Sequence, residues 1–415
     1  MKTSTRAAIA ATIAASLLFT APGVAFAAST PPPAVASQHV RGQLLDVTYL
    51  ATYTDPASVL KNAGFQDPGT LRHGVVTYRI VYRTVDPSGR PTTASGLVAL
   101  PLGKRGDLKV VSYTHGTELY WQNAPSAYLE SGDLWSAAPA ITYAGTGFAA
   151  VAPDYLGLGY GQPMTQAYLH IPSEVTTSVD MLRAARTFAQ RRGIELRRHV
   201  LVTGFSQGGM AAVGLARGLQ DGADGWFRLG ALSAVSGAYD TTTELPAFLD
   251  GTVNERLAVV YTAVLLVTWN KLHHLYDSPY EVFQPKYAGQ MDRLFNSRTP
   301  VDEILRTLPT TLGELYTEAG LAMLRHPTGR FAAALAEADS ICRDWTPRVP
   351  VRLLYSTLDR EAVPANTMSC AASFAARGFR APVTDLPPLA YNESYHLGTN
   401  VTGLAETARW FNQLR

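Results

Sequence analysis

Gly204-Phe205-Ser206-Gln207-Gly208 is the stretch of this chain best suited to chemistry. An apolar run, His199 to Thr203, leads into it, and small residues from Gly209 to Val213 lead out. A strand that turns sharply into a helix holds its corner residue in strained backbone, and glycines two positions away on each side leave room for the bend. A hydroxyl at such a corner becomes a nucleophile once a base takes its proton and a carboxylate orients that base. On a corner of this kind the partners follow in the order serine, acid, histidine. Of the nine histidines, only His273, His274, His326 and His396 come after Ser206. The first three precede the apolar run Val351 to Tyr355. His396 alone lies beyond it, just ahead of a helical segment, Leu404 to Phe411, and is the candidate base.

Asp359, shortly after Val351 to Tyr355, is the candidate acid, because a carboxylate at a strand end is held rigidly enough to fix an imidazole. Glu361 is a near rival and Asp385 a remoter one. Acyl transfer also needs donors aimed at the developing oxyanion, each worth about 3 kcal/mol in the transition state. The N–H of Gln207, next to the nucleophile, is one candidate. The N–H of Thr117, in the loop His115-Gly116-Thr117, is the other. His115 comes too early in the chain to be the base and reads as structural. Tyr120, Trp121 and Tyr155 follow the motif strands and are candidates for an apolar substrate pocket.

The elements around these residues alternate. Lys109 to Tyr113, Gly147 to Ala152, Val200 to Thr203, Leu229 to Val235 and Val351 to Tyr355 are continuous apolar runs, as in strands covered on both faces. Helical patterns lie between them: Met181 to Ala189, with Thr177 and Asp180 as a capping box and Gly193 as its stop, and Met210 to Leu219. This is the pattern of an α/β fold with a mostly parallel sheet. Asp86-Pro87-Ser88-Gly89 marks a hairpin between Tyr78 to Arg83 and Ala94 to Leu100. From about Asp240 to Arg343 the rhythm breaks into helical patterns, an insertion placed over the site.

The 415 residues are 47% hydrophobic and 16% charged, enough for a large core and too apolar for a disordered chain. Formal net charge is +2, and removing Lys2 and Arg6 with a leader brings it near zero, which excludes a strongly basic nucleic-acid binder. Lys2 and Arg6, the apolar run Ala7 to Phe19 and Ala25-Phe26-Ala27 form the three parts of a secretory signal, with cleavage near Ala27 or Ala28. Leu257 to Trp269 is too short for a stable membrane span, though contact with a lipid interface stays open. In an exported chain the two cysteines, Cys342 and Cys370, are expected to pair. His273-His274 with Asp277 lacks a third ligand and reads as structural, so no metal is expected. Asn392 and Asn400 match glycosylation acceptors. The expected organisation is a leader over 1–28, a lead-in over 29–40, a core over 41–239 resumed at 344–415, and a helical cap over 240–343.

Tyr113-Thr114-His115-Gly116-Thr117, Ala152-Pro153-Asp154-Tyr155-Leu156-Gly157-Leu158-Gly159, Gly204 to Gly209 and the late Asp359 and His396 together resemble the α/β-hydrolase superfamily. More narrowly they are similar to secreted bacterial and fungal lipases and esterases of the secretory-lipase type. The likeness covers about residues 75–415 without the insertion. It implies carboxylic ester hydrolysis through an acyl-enzyme on Ser206, on substrates from acylglycerols to small esters, with no cofactor. The spacing from Asp359 to Val363-Pro364 is longer than the family's usual one, which keeps Glu361 in play. Two other activities fit the same fold, a prolyl-type aminopeptidase and an acyltransferase. The peptidase needs acidic residues in the cap for a free amine, and Glu303, Glu314, Glu318 and Glu337 are its candidates.

Overall fold

A computed structural model describes residues 40–414. The expected signal segment and most of the lead-in lie outside the described residues. Among the described residues nine strands form one sheet: β1 (Leu44–Tyr53), β2 (Val75–Val85), β3 (Pro91–Pro101), β4 (Gly106–Thr114), β5 (Ala149–Pro153), β6 (Ile194–Phe205), β7 (Arg228–Val235), β8 (Val351–Tyr355) and β9 (Val383–Asp385). Their spatial order is β1-β2-β3-β5-β4-β6-β7-β8-β9. The first three strands and the β3–β5 pairing are antiparallel, and every pairing from β5 through β9 is parallel.

Successive side chains of a strand point to opposite faces, so both faces of the centre can be read from two apolar clusters. Val110, Val200 and Val202 pack with Met181, Leu182 and Val213 of the helices Ile171–Arg191 and Gln207–Gln220. Their strand neighbours Val111 and Leu201 pack with Ile141, Leu404 and Phe411 of the helices Ala138–Thr146 and Tyr395–Gln413. A parallel sheet buried on both faces is why the central strands carry unbroken apolar runs.

The capping box expected at Thr177 and Asp180 is not a helix start. The helix begins at Ile171, with Pro172 in its first turn. Thr177 Oγ1 donates back to the Ser173 carbonyl at 2.9 Å. Asp180 is a buried acid that accepts from Arg41, Thr84 and Arg183. The polar pair is therefore spent on tertiary contacts, and helix entry is left to a proline.

Between β7 and β8 the chain runs through a series of helices from Thr241 to Arg343. The longest of them, Glu255–His273, is buried along much of its length. No helix among the described residues is long and apolar enough to cross a membrane. Within this segment Leu312–Leu315 and Glu318–Arg325 are separate helices, because Thr317 caps the second by accepting the Gly320 N–H at 3.0 Å. Asn400, one of the two glycosylation candidates, is buried within the last helix and is no acceptor site.

Cys342 and Cys370 form a disulfide that closes a loop of 28 residues and ties the end of the helical segment to the helix Pro364–Ala376. Replacing both cysteines with alanine is expected to lower unfolding free energy by about 3 kcal/mol, read as a shift in the urea midpoint. An unchanged midpoint would show that the loop is already constrained in the unfolded chain.

Candidate active site

Ser206 sits between β6 and the helix Gln207–Gln220 with φ 58° and ψ −125°, a region that non-glycine residues seldom occupy. The strain is imposed from two sides. Ser206 N–H donates to the Val235 carbonyl at 3.0 Å, and Thr114 Oγ1 donates to the Gly208 carbonyl at 2.6 Å. A Cβ on Gly204 would lie 2.0 Å from the Gly208 oxygen, and one on Gly208 would lie 2.0 Å from the Thr114 oxygen. Both glycines are there because backbone passes where a side chain would be.

His396 is in the first turn of the helix Tyr395–Gln413, whose N-cap Ser394 accepts the Leu397 N–H at 3.0 Å. Its ring is 3% exposed and lies against Phe205, with centroids 4.7 Å apart. Nε2 is 2.8 Å from Ser206 Oγ, and Nδ1 is 2.8 Å from Asp359 Oδ2. A carboxylate only accepts, so in the neutral ring Nδ1 carries the proton and Nε2 offers its lone pair to the serine hydroxyl.

Asp359 is fully buried. Its Oδ1 accepts from the N–H groups of Glu361 at 2.9 Å and Ala362 at 3.1 Å, which leaves Oδ2 for the imidazole. Glu361 is engaged elsewhere, accepting from Tyr261 OH at 3.1 Å and from the Ser394 hydroxyl. Position separates the two acids: Asp359 is on His396, and Glu361 is on the helix cap beside it. Asp385 accepts the Thr357 N–H and takes no part.

Gln207 and Thr117 flank Ser206 in the lining of one cleft, which holds about 580 Å³ of empty space counting its open mouth. Gln207 opens its helix, where the first backbone N–H groups have no intrahelical acceptor. The loop bearing Thr117 is fixed by His115, whose Nδ1 is 2.7 Å from the Gly116 carbonyl and whose Nε2 is 3.3 Å from the Asp154 carbonyl. Burial pulls His115 down to about 4, so it stays neutral at ordinary pH.

Tyr120, Trp121 and Tyr155 are not in the cleft lining. Tyr155 is buried, stacks on His115 at 4.2 Å and donates to the His115 carbonyl at 3.2 Å, so it supports the Thr117 loop from behind. Tyr120 packs on Trp121, which is drawn away by its N–H bond to the Ser297 carbonyl and sits under Arg298. After Thr117 the chain turns out of the site, which sequence adjacency does not reveal. The cleft is closed instead by Tyr168 and by Glu244, Phe248, Tyr261 and Leu265 from the helices Thr241–Leu249 and Glu255–His273. No motif marked them. Glu303, Glu314, Glu318 and Glu337 are absent from this lining. His273 packs on Trp269, and His274 takes a left-handed helix-end conformation, so the two do not share a site.

Burial opposes charging His396, but Asp359, with Glu361 and Glu244, outweighs it and pushes the imidazole up to about 9. Burial likewise pushes Glu118, Glu174 and Glu244 up to about 8 each. Between the ordinary carboxyl value and about 8, these three acids are protonated when folded and ionised when unfolded. His396 adds the same sense from 6.5 to about 9, holding a proton that the unfolded chain has lost. Stability therefore falls as pH rises across this range. His115, lowered by burial, acts oppositely between about 4 and 6.5. The melting temperature is expected to decline from about pH 5 toward pH 9, because three acids outweigh His115 where their ranges overlap; a flat profile from 6 to 9 would contradict the buried, protonated state of these acids.

No family model and no curated protein sequence matches the chain. Solved structures do. The rice cell wall degrading esterase LipA of Xanthomonas oryzae superposes with a TM-score of 0.80 at 25% identity, over 91% of this chain and 100% of that one. Lipase A of Candida antarctica superposes with a TM-score of 0.61 at 13% identity, over 89% of this chain and 91% of that one. Like these esterases and lipases, and in keeping with its open, mostly parallel sheet and the corner at Ser206, the chain has the α/β-hydrolase fold.

Proposed function

We propose that this protein is an exported carboxylic ester hydrolase that works through an acyl-enzyme on Ser206. The observation that carries the reading is the unbroken hydrogen-bond line from Ser206 Oγ through His396 to Asp359, opening onto a mostly apolar cleft. Esterase and lipase neighbours with the same fold support the bond type. The disulfide supports export.

In this mechanism His396 Nε2 takes the hydroxyl proton as Ser206 Oγ attacks the ester carbonyl. Negative charge gathers on the carbonyl oxygen, where the N–H groups of Gln207 and Thr117 receive it. The tetrahedral adduct collapses, the alkoxide leaves with the proton from Nε2, and the acyl group remains on Ser206. Water then enters, gives its proton to Nε2 and attacks the acyl carbon. The second collapse returns the proton to Oγ and releases the acid. Asp359 keeps its charge throughout, holding Nδ1–H and stabilising the imidazolium.

An active-site-directed fluorophosphonate is expected to label Ser206, and a series of chromogenic acyl esters to be hydrolysed while aminoacyl-proline amides are not. Amide cleavage with inert esters would replace this reading with the peptidase. No labelling of the folded chain would remove the enzymatic reading altogether.

A further inference from the structure

Beside Ser206 the cleft has one carboxyl group with half of its hydrogen bonding left open. Glu244 is 5% exposed and lines the cleft. Its Oε2 accepts from the Asn366 amide, and Asn366 is itself held by the Asp240 N–H, which donates to Oδ1 at 3.0 Å. Glu244 Oε1 has no hydrogen-bond partner. The Val363 N–H favours the ionised carboxyl without making a hydrogen bond to Oε1. The charged groups that act on Glu244 are Asp359 and His396, and neither bonds to it. Glu361 shares the lining, but its two oxygens are taken by Tyr261 and Ser394. Gln207, also in the lining, has a side-chain oxygen without a partner as well, while its amide nitrogen donates to Glu174 at 2.7 Å.

A buried polar atom without a partner is costly, and such atoms persist where a ligand completes them. We propose that Glu244 Oε1 receives a hydroxyl carried by the substrate, so that the site selects esters bearing a hydroxyl on the limb that enters this cleft. The inference rests on the reading of Ser206 as an ester-cleaving nucleophile and adds the substrate class. A hydroxyl both donates and accepts, so it satisfies Oε1 in either protonation state. An ammonium can only donate, and a bare alkyl chain does neither. Burial pushes Glu244 up to about 8, so at neutral pH it offers an O–H donor, which an ammonium cannot meet. Gln207 Oε1 supplies a second open acceptor in the same lining.

Matched esters read this directly. On the acyl side, a butyrate ester is compared with the β-hydroxybutyrate ester and with the β-aminobutyrate ester. On the alcohol side, ethyl butyrate is compared with ethylene glycol monobutyrate. The hydroxylated member of at least one pair is expected to have a kcat/KM roughly tenfold higher in the wild-type chain at pH 7. Glu244→Leu should erase that preference, read as the ratio of kcat/KM within each pair. Glu244→Gln, which keeps the shape and the neutral charge, should retain it. Equal rates within both pairs in the wild type, or a preference untouched in Glu244→Leu, overturns the inference. A larger preference for the ammonium-bearing ester overturns it in favour of a cation. The wild-type comparison decides alone if the leucine variant does not fold. Plain esters cleaved without discrimination defeat only this inference, whereas no cleavage and no labelling at Ser206 defeat the reading beneath it.

Discussion

Ser206→Ala is expected to reduce kcat by about 10⁶-fold on any ester the protein cleaves, with the fold intact. Loss of the nucleophile leaves the oxyanion donors and substrate binding in place, so a small residual rate above water remains. The variant also separates chemistry from architecture, because Ser206 is held at φ 58° by the Val235 carbonyl and the two flanking glycines whatever side chain it carries. Ser206→Gly should be equally inactive and more stable. Relief of a strained non-glycine backbone is worth of order 1–3 kcal/mol, and the added freedom of glycine in the unfolded chain takes back somewhat less, for a net gain of about 1 kcal/mol. Stability rising while activity vanishes, measured by denaturation and by a chromogenic ester assay on one preparation, is the expected signature. A glycine variant less stable than the wild type would mean that the corner is not under strain.

Asp359→Asn should cost about 10⁴-fold in kcat, through the tautomer rather than through the shape. Two backbone donors, the N–H groups of Glu361 and Ala362, converge on Oδ1. In the variant they hold the amide oxygen at that position, and the amide nitrogen must face His396 Nδ1. The ring then keeps its proton on Nε2, against Ser206 Oγ, where it can no longer accept one. Glu361→Gln makes the control. Glu361 bonds to Tyr261 and Ser394 rather than to the imidazole, so its amide should cost no more than about tenfold. The pH profile gives a second readout. In the wild type, where Asp359 does most to raise His396 to about 9, kcat/KM should climb tenfold per pH unit below that value as the imidazole loses its proton. Equal losses in the two variants would reverse the assignment of the acid.

Residues whose role depends on local chain chemistry were legible without coordinates. Gly204 and Gly208 announce the corner because no other residue fits there, and His396 follows from chain order. The central strands announce themselves because burial on both faces removes their polar residues. Edge strands carry no such mark. β1 is mostly exposed and pairs only with β2, and β9 is three residues long, so neither has an apolar run to find. The walls of the cleft were hidden for another reason. Glu244 and Tyr261 join Ser206 in the cleft only through the packing of the helical segment onto the sheet, and no spacing in the chain encodes that contact. Tyr155 shows the reverse error: it follows a motif closely and yet turns inward to hold His115.

The acids crowded around His396 bear on how readily a product leaves. Deacylation would set free a carboxylic acid next to Asp359 and Glu361, with Glu244 close by. Once that newcomer ionises, like charges push it outward, so inhibition by the end product should be weak and weaker still above pH 8, where Glu244 joins them.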